Sequence, residues 1–196
     1  MELFKNKLII LVIIGILGSV LFVTLPNILS NKSETISEEK LQFLTKHNLN
    51  DLSVEEMVST LDQTISEKSG FYASITSETL TLIDADNEFK YDTPEDQFYL
   101  SFAPYINNTH PCANHNLVTC RGELQNETVN VEIKDSTGTI LINDQYTTMD
   151  NGFIGIWLPK NMDVTITVNH QGLTATQEIS TYSGDNTCLT TLKMSE

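Results

Sequence analysis

The segment Val129-Asn-Val-Glu-Ile-Lys-Asp-Ser-Thr-Gly-Thr-Ile-Leu-Ile142 has the pattern of a β-hairpin. Its centre, Asp135-Ser-Thr-Gly138, is rich in residues that favour turns. Apolar residues occupy alternate positions on both sides of this turn, as they do in strands that bury one face. They are Val129, Val131, Ile133, Ile140 and Ile142. The segment therefore predicts two antiparallel strands joined by a short turn.

Similar patterns extend over the rest of the carboxyl-terminal half. Apolar residues alternate again from Val164 to Ala175, around a turn at His170-Gln-Gly172. The run Phe153-Ile-Gly-Ile-Trp-Leu158 is apolar throughout, which predicts a central strand buried on both faces. No helical periodicity separates these strands, so residues 70–196 are predicted to form a mainly antiparallel β-sandwich.

Residues 32–69 instead show helical spacing. Ser53-Val-Glu-Glu56 is a capping box, and it precedes apolar residues that recur every three or four positions. A second helix is predicted after Ser37. Two short helices bury little on their own, so this helical module is a predicted dimerisation element. The fold class is therefore α+β, with a small amino-terminal helical module followed by the β-sandwich.

The amino terminus predicts export. Leu8 to Leu25 carries no charge and follows Lys5 and Lys7. This length lies between a cleaved signal peptide and a membrane anchor, so both interpretations of residues 1–31 remain open. Either one predicts an extracytoplasmic protein, in a periplasm or on the outer face of the cell membrane, that contacts the membrane only through this segment.

Charge and motifs exclude several functions. The chain has 26 acidic against 11 basic residues and a formal net charge of −15, which disfavours nucleic acid as a partner. It contains no G-x-S-x-G, H-E-x-x-H, phosphate-binding glycine loop or dinucleotide fingerprint. Nothing in the motifs indicates a hydrolase or a nucleotide-dependent enzyme.

The three cysteines carry the strongest functional signal. Cys112 and Cys120 lie in His110-Pro-Cys-Ala-Asn-His-Asn-Leu-Val-Thr-Cys120, and Cys188 is distant in sequence. Thiolates beside His110 and His115 would suit a thiophilic metal such as Cu(I) or Zn(II). Alternatively, a Cys112–Cys120 disulfide would staple a loop of a cell-surface interaction module, with Cys188 as a small buried hydrophobe. Spacing alone favours neither interpretation.

Five sequence blocks resemble the CueP family, the bacterial periplasmic copper-binding proteins of copper resistance. The resemblance covers residues 70–193 well and the helical segment more loosely. The blocks are Ser101-Phe-Ala-Pro-Tyr-Ile106, Thr109-His-Pro-Cys112, Cys120-Arg-Gly-Glu123, Asp150-Asn-Gly-Phe-Ile-Gly-Ile-Trp-Leu-Pro159 and Thr187-Cys-Leu-Thr-Thr-Leu192. The resemblance implies copper binding through Cys112, Cys120 and Cys188, with His110 as a fourth candidate ligand. It also implies a homodimer and delivery of copper to an extracytoplasmic cuproenzyme.

These implications predict a metal-binding protein and not an enzyme. Three thiolates at one end of the sandwich would hold Cu(I), and thiolates can reduce Cu(II) at the expense of a disulfide as a secondary activity. Zn(II) in a site of three cysteines and one histidine is the rival metal. A thiol-redox enzyme is disfavoured by the absence of a C-x-x-C pair. His47 and His170 are predicted to be structural or surface residues, and Met149, Met162 and Met194 are predicted to pack in the core.

Overall fold

The structure, a computed structural model, describes residues 37–63, 70–85 and 87–196. Residues 37–196 belong to one compact unit, in which two helices precede the strands. The elements are α1 (Glu38–His47), α2 (Val54–Asp62), β1 (Tyr72–Ile75), β2 (Thr79–Asp84), β3 (Asn87–Asp92), β4 (Gln97–Phe102), β5 (His115–Asn116), β6 (Thr128–Asp135), β7 (Ile140–Thr147), β8 (Ile154–Pro159), β9 (Asp163–His170), β10 (Leu173–Ser180) and β11 (Cys188–Leu189).

Two sheets form the sandwich. One has the strand order β10-β9-β6-β7 and the other β11-β4-β8. The alternating apolar residues of β6 and β9 share a single hydrophobic core with those of β4 and β8. Strand β11 pairs with β4 in parallel, whereas the other pairs of named strands are antiparallel. The predicted α+β class is thus confirmed, with two helices followed by mostly antiparallel sheets.

A second core lies between the helices and a sheet of order β3-β2-β1-β5. Both helices begin at serine caps, as the sequence predicts. Ser37 accepts a hydrogen bond from the Lys40 amide, and Ser53 forms the full capping box with Glu56. Helix α2 is described as far as its cap at Gln63, so Ile65, which continues the predicted apolar spacing, lies outside the described residues.

The predicted central position of β8 is wrong. Strand β8 lies at one end of its three-stranded sheet, and β4 occupies the centre between β11 and β8. Phe98, Leu100 and Phe102 of β4 face the sandwich core, while Tyr99 of the same strand packs in the helical core. Strand β4 therefore contributes side chains to both cores. The continuous apolar run of β8 has a different cause, since Trp157 packs against Tyr99 outside the sandwich core.

Among the described residues, no helix is long and apolar enough to cross a lipid bilayer. The predicted signal peptide or membrane anchor at residues 1–31 lies outside the described residues. The predicted boundary between the helical module and the β-sandwich, after residue 69, adjoins residues 64–69, which also lie outside the described residues.

Candidate metal centre

The strand pairing brings the three cysteines together at one end of β4. Cys188 begins β11 and is in register with Ser101 of β4. Cys112 lies in the long connection between β4 and β5, and Cys120 follows β5. The amide of Cys188 donates to the carbonyl oxygen of Ala113 at 2.9 Å, which holds the connection against β11. Cysteines separated by up to 76 residues in sequence thereby meet in one cluster.

The structure joins Cys112 to Cys188 in a disulfide, with their Cα atoms 5.7 Å apart. Cys120 is the free cysteine, and its Sγ lies 3.6 Å from Sγ of Cys112. The Cys112–Cys120 disulfide that the alternative interpretation required is therefore wrong here, because Cys112 is bonded to Cys188. Cys188 is also not an isolated apolar residue, since it lies within the cysteine cluster.

The sulfur atoms differ in their access to solvent. Cys120 and Cys188 are buried, and Phe153, Ala103 and Met149 pack around them. Cys112 is half-buried. The cluster therefore has an inner end formed by two buried cysteines and an accessible end at Cys112.

Both histidines of the cysteine segment lie beside the sulfurs. The ligand atoms of His110, Cys112 and Cys120 lie within 4.8 Å of one another, and so do those of His115, Cys120 and Cys188. His110 is half-buried, whereas His115 is fully buried, with Nδ1 3.5 Å from Sγ of Cys188. All four predicted site residues are thus in this region, and His115 joins them.

A buried carboxylate orients His115. Asp62, the last residue of α2, accepts a hydrogen bond from Nε2 of His115 on Oδ1 at 2.7 Å. The side-chain amide of Asn151 donates to the same oxygen at 2.8 Å. Tyr99 donates its hydroxyl to Oδ2 at 2.6 Å, and Ser101 lies 3.3 Å from that oxygen. The carboxylate fixes which nitrogen of His115 faces the sulfurs.

This network changes the acidity of its members. Burial disfavours the charged form of His115, but the Asp62 carboxylate and the Cys120 sulfur favour it and raise the pKa of His115 to about 9. Burial, and then the negative charge of Asp62, hold the pKa of Tyr99 well above its ordinary value. The inner end of the cluster is therefore a buried, hydrogen-bonded polar network that lies beside apolar side chains.

Sequence reasoning missed Asp62, Asn151 and Tyr99. Asp62 follows a helical apolar pattern and precedes His115 by 53 residues, so no local spacing connects them. The one available signal was Asn151 in the Asp150-Asn-Gly152 block of the family resemblance. His47 and His170 are structural, as predicted: the first pairs with Asp84, and the second has Nδ1 3.0 Å from the carbonyl oxygen of Thr128.

Glu123 holds the connection that carries His110 and Cys112. Its carboxylate accepts hydrogen bonds from the amides of Ile106 and Asn107 at 2.6 and 2.9 Å, and from the side chain of Asn108. Partial burial opposes ionisation, but these donors outweigh it and lower the pKa of Glu123 to about 2. Glu123 therefore acts as a charged clamp beside the site.

Two comparisons with known proteins found matches to this chain. The family model described as periplasmic copper-binding protein CueP matches residues 56–193. A solved structure described as "Crystal Structure of S.CueP" has a TM-score of 0.75 and 42% sequence identity, covering 79% of this chain and 96% of that one. No curated protein matches the chain. The matched residues include all three cysteines and both histidines of the site, and this chain belongs to the CueP family of periplasmic copper-binding proteins.

Proposed function

We propose that this protein sequesters Cu(I) outside the cytoplasm through the thiolates of Cys112, Cys120 and Cys188, and so contributes to copper resistance. The observation that carries the proposal is the meeting of three sulfur atoms from distant parts of the chain. Polarizable thiolate sulfur selects Cu(I) over harder ions. His110, within 4.8 Å of two of these sulfurs, supplies a nitrogen donor to the same site.

Copper binding depends on the redox state of the cysteines. Reduction of the Cys112–Cys188 disulfide by an external thiol takes up two electrons and two protons, and frees both sulfurs to act as ligands. In the reverse direction, two thiolates give one electron each to two Cu(II) ions, which yields two Cu(I) ions and the disulfide. Cu(II) reduction is therefore a secondary activity of the same residues.

The accessible end of the cluster suits transfer of copper to another protein. Cys112 and His110 are half-buried, so a recipient cuproenzyme can offer its own ligands there. Exchange of one ligand at a time would avoid releasing free copper. The family is periplasmic, and we propose that residues 1–31 direct or anchor the chain there and that residues 32–69 form a homodimer.

Anaerobic competition with a calibrated Cu(I) chelator tests the proposal. The reduced, metal-free protein should compete for Cu(I), and serine at position 112, 120 or 188 should lower the amount or the affinity of copper bound. Met162→Leu removes a sulfur that packs against the sandwich core and should leave copper binding unchanged. Binding no tighter than that of a variant with all three cysteines replaced would refute the proposal. A parallel zinc titration decides between the two metals.

A further inference from the structure

The donor atoms of the site form two sets of three that overlap. The outer triad consists of His110, Cys112 and Cys120, and the inner triad of His115, Cys120 and Cys188. We infer that the reduced site binds two Cu(I) ions, one in each triad, with the Cys120 thiolate bridging them. This inference rests on the proposed function and adds the number of ions, the bridging ligand and a ligand role for His115.

Each triad has the size of a three-coordinate metal site. Donors about 2.0 to 2.3 Å from a central ion, as for nitrogen and sulfur around zinc, lie about 3.5 to 4 Å from one another in a plane. All the donor atoms of each triad lie within 4.8 Å of one another, so small rotations of the side chains suffice. The three sulfurs also lie within this distance of one another, but a single site made of them would leave both histidines unused. Two ions can therefore engage all five donors.

The burial and hydrogen bonding of the inner triad favour the binding of a metal ion. His115, Cys120 and Cys188 are all buried, and the exposed fraction of His115 is 0%. The Asp62 carboxylate takes the hydrogen of Nε2 at 2.7 Å and directs Nδ1 towards Sγ of Cys188 at 3.5 Å. A carboxylate on the distal nitrogen of a histidine is the usual support of a metal-ligating imidazole.

Charge also favours two ions. Three thiolates in a largely buried cluster carry three negative charges, and one Cu(I) would leave two of them uncompensated. A second Cu(I) leaves one, and uncompensated buried charge is costly. The outer triad is more accessible than the inner one because His110 and Cys112 are only half-buried. Copper therefore arrives at the outer triad and passes inward while Cys120 stays bound.

Native mass spectrometry of the reduced full-length protein, loaded with Cu(I) from a chelator under anaerobic conditions, tests this inference. The native protein should carry two copper ions per chain. His115→Asn and Cys188→Ser each disable the inner triad and should carry one. Cys120→Ser removes the shared ligand and should carry fewer than one. Two inner-triad variants are used so that the test still stands if one of them fails to fold. Circular dichroism checks the fold of each variant.

His47→Asn is the matched control, because His47 is also a buried histidine paired with an aspartate, but lies in the helical core. It should retain two ions. One ion per chain in the native protein, or two ions in His115→Asn, would overturn the two-ion arrangement and leave the proposed function intact. Absence of copper from the native protein would refute the proposed function itself.

Discussion

Asp62 is the residue that orients His115 beside the cysteines. Its two carboxylate oxygens accept from four donors: His115 and Asn151 on Oδ1, and Tyr99 and Ser101 on Oδ2. The side chain is fully buried, so water cannot replace any of these partners. Asp62 thus connects the end of helix α2 to the cysteine cluster through a single side chain.

Asp62→Asn should weaken Cu(I) binding. Because both oxygens of Asp62 accept hydrogen bonds, the NH2 group of the new amide would face one of the donors, and that hydrogen bond would be lost. His115 could then rotate or change its tautomer. Loss of such a supporting partner typically lowers metal affinity about 10-fold to 100-fold. Chelator competition measures the change. Asp84→Asn, at the buried aspartate that pairs with His47, is the matched control and should lower stability without changing copper affinity.

The lowered pKa of Glu123 predicts that the folded protein loses stability in acid. Because its pKa falls from 4.5 to about 2 on folding, the folded state favours the carboxylate. The contribution of the Glu123 carboxylate to the free energy of unfolding is complete above about pH 4.5. It disappears as the pH falls towards 2. Glu123→Gln should therefore lower the free energy of unfolding at neutral pH, and the difference from the native protein should shrink in acid. Urea unfolding at several pH values measures it, with Glu95→Gln, at an exposed carboxylate, as the control. A difference independent of pH would contradict the clamp.

At the scale of elements, alternation predicted the hairpins and capping predicted the helix starts. The hairpin of β6 and β7 and that of β9 and β10 form where the apolar residues alternate around turn sequences. Strand β8 was wrongly predicted to be central. A continuous apolar run is expected both for a central strand and for an edge strand whose outer face packs against another layer. Trp157 of β8 meets Tyr99 of β4 there, with ring centroids 4.9 Å apart.

Two connecting segments meet at glycines beside the cysteines. The amide of Gly122 donates to the carbonyl oxygen of Asn151 at 2.6 Å. A Cβ atom at Gly122 would lie 2.9 Å from the carbonyl carbon of Gly152 and 3.0 Å from Cβ of Ala103. This contact positions the segment that carries Cys120 against the start of β8.

Gly122→Ala should therefore destabilise the fold and weaken copper binding together. Overpacking of this kind costs about 1 to 3 kcal/mol, and it should move Cys120 away from its partners. Denaturant unfolding and chelator competition on the same preparation measure both effects. Gly138→Ala strains a hairpin turn with φ +87° but meets no neighbouring atom, so it should affect stability alone. Unchanged copper affinity in Gly122→Ala would show that the contact does not position the site.

For the whole molecule, the sequence identified the cysteines but not how they pair. Cys112 and Cys120 are eight residues apart, and this spacing alone did not decide between a disulfide and a metal site. The bond to Cys188 arises because β11 returns to lie beside β4, a parallel pairing that alternation cannot reveal. The family resemblance predicted that the three sulfurs lie together. It did not predict that Asp62, at the end of α2, would orient His115.

Reduction of the disulfide should lower the stability of the whole chain. The Cys112–Cys188 bond spans 76 residues, and closing a loop of this length restricts the unfolded chain by about 4 to 5 kcal/mol in the chain-entropy argument. The oxidised protein should unfold at a higher denaturant concentration than the reduced protein, and Cu(I) should restore part of the difference by binding the folded state. Cys120→Ser keeps the disulfide and should show the same loss on reduction. Equal midpoints would contradict this pairing.

X-ray absorption spectroscopy of the Cu(I)-loaded protein tests most directly whether cysteine sulfur holds the copper. We expect an absorption edge typical of Cu(I) and a first coordination shell in which sulfur predominates, with a smaller nitrogen contribution from histidine. The sulfur signal should decrease when Cys112, Cys120 or Cys188 is replaced by serine. A shell of nitrogen and oxygen alone would contradict the account.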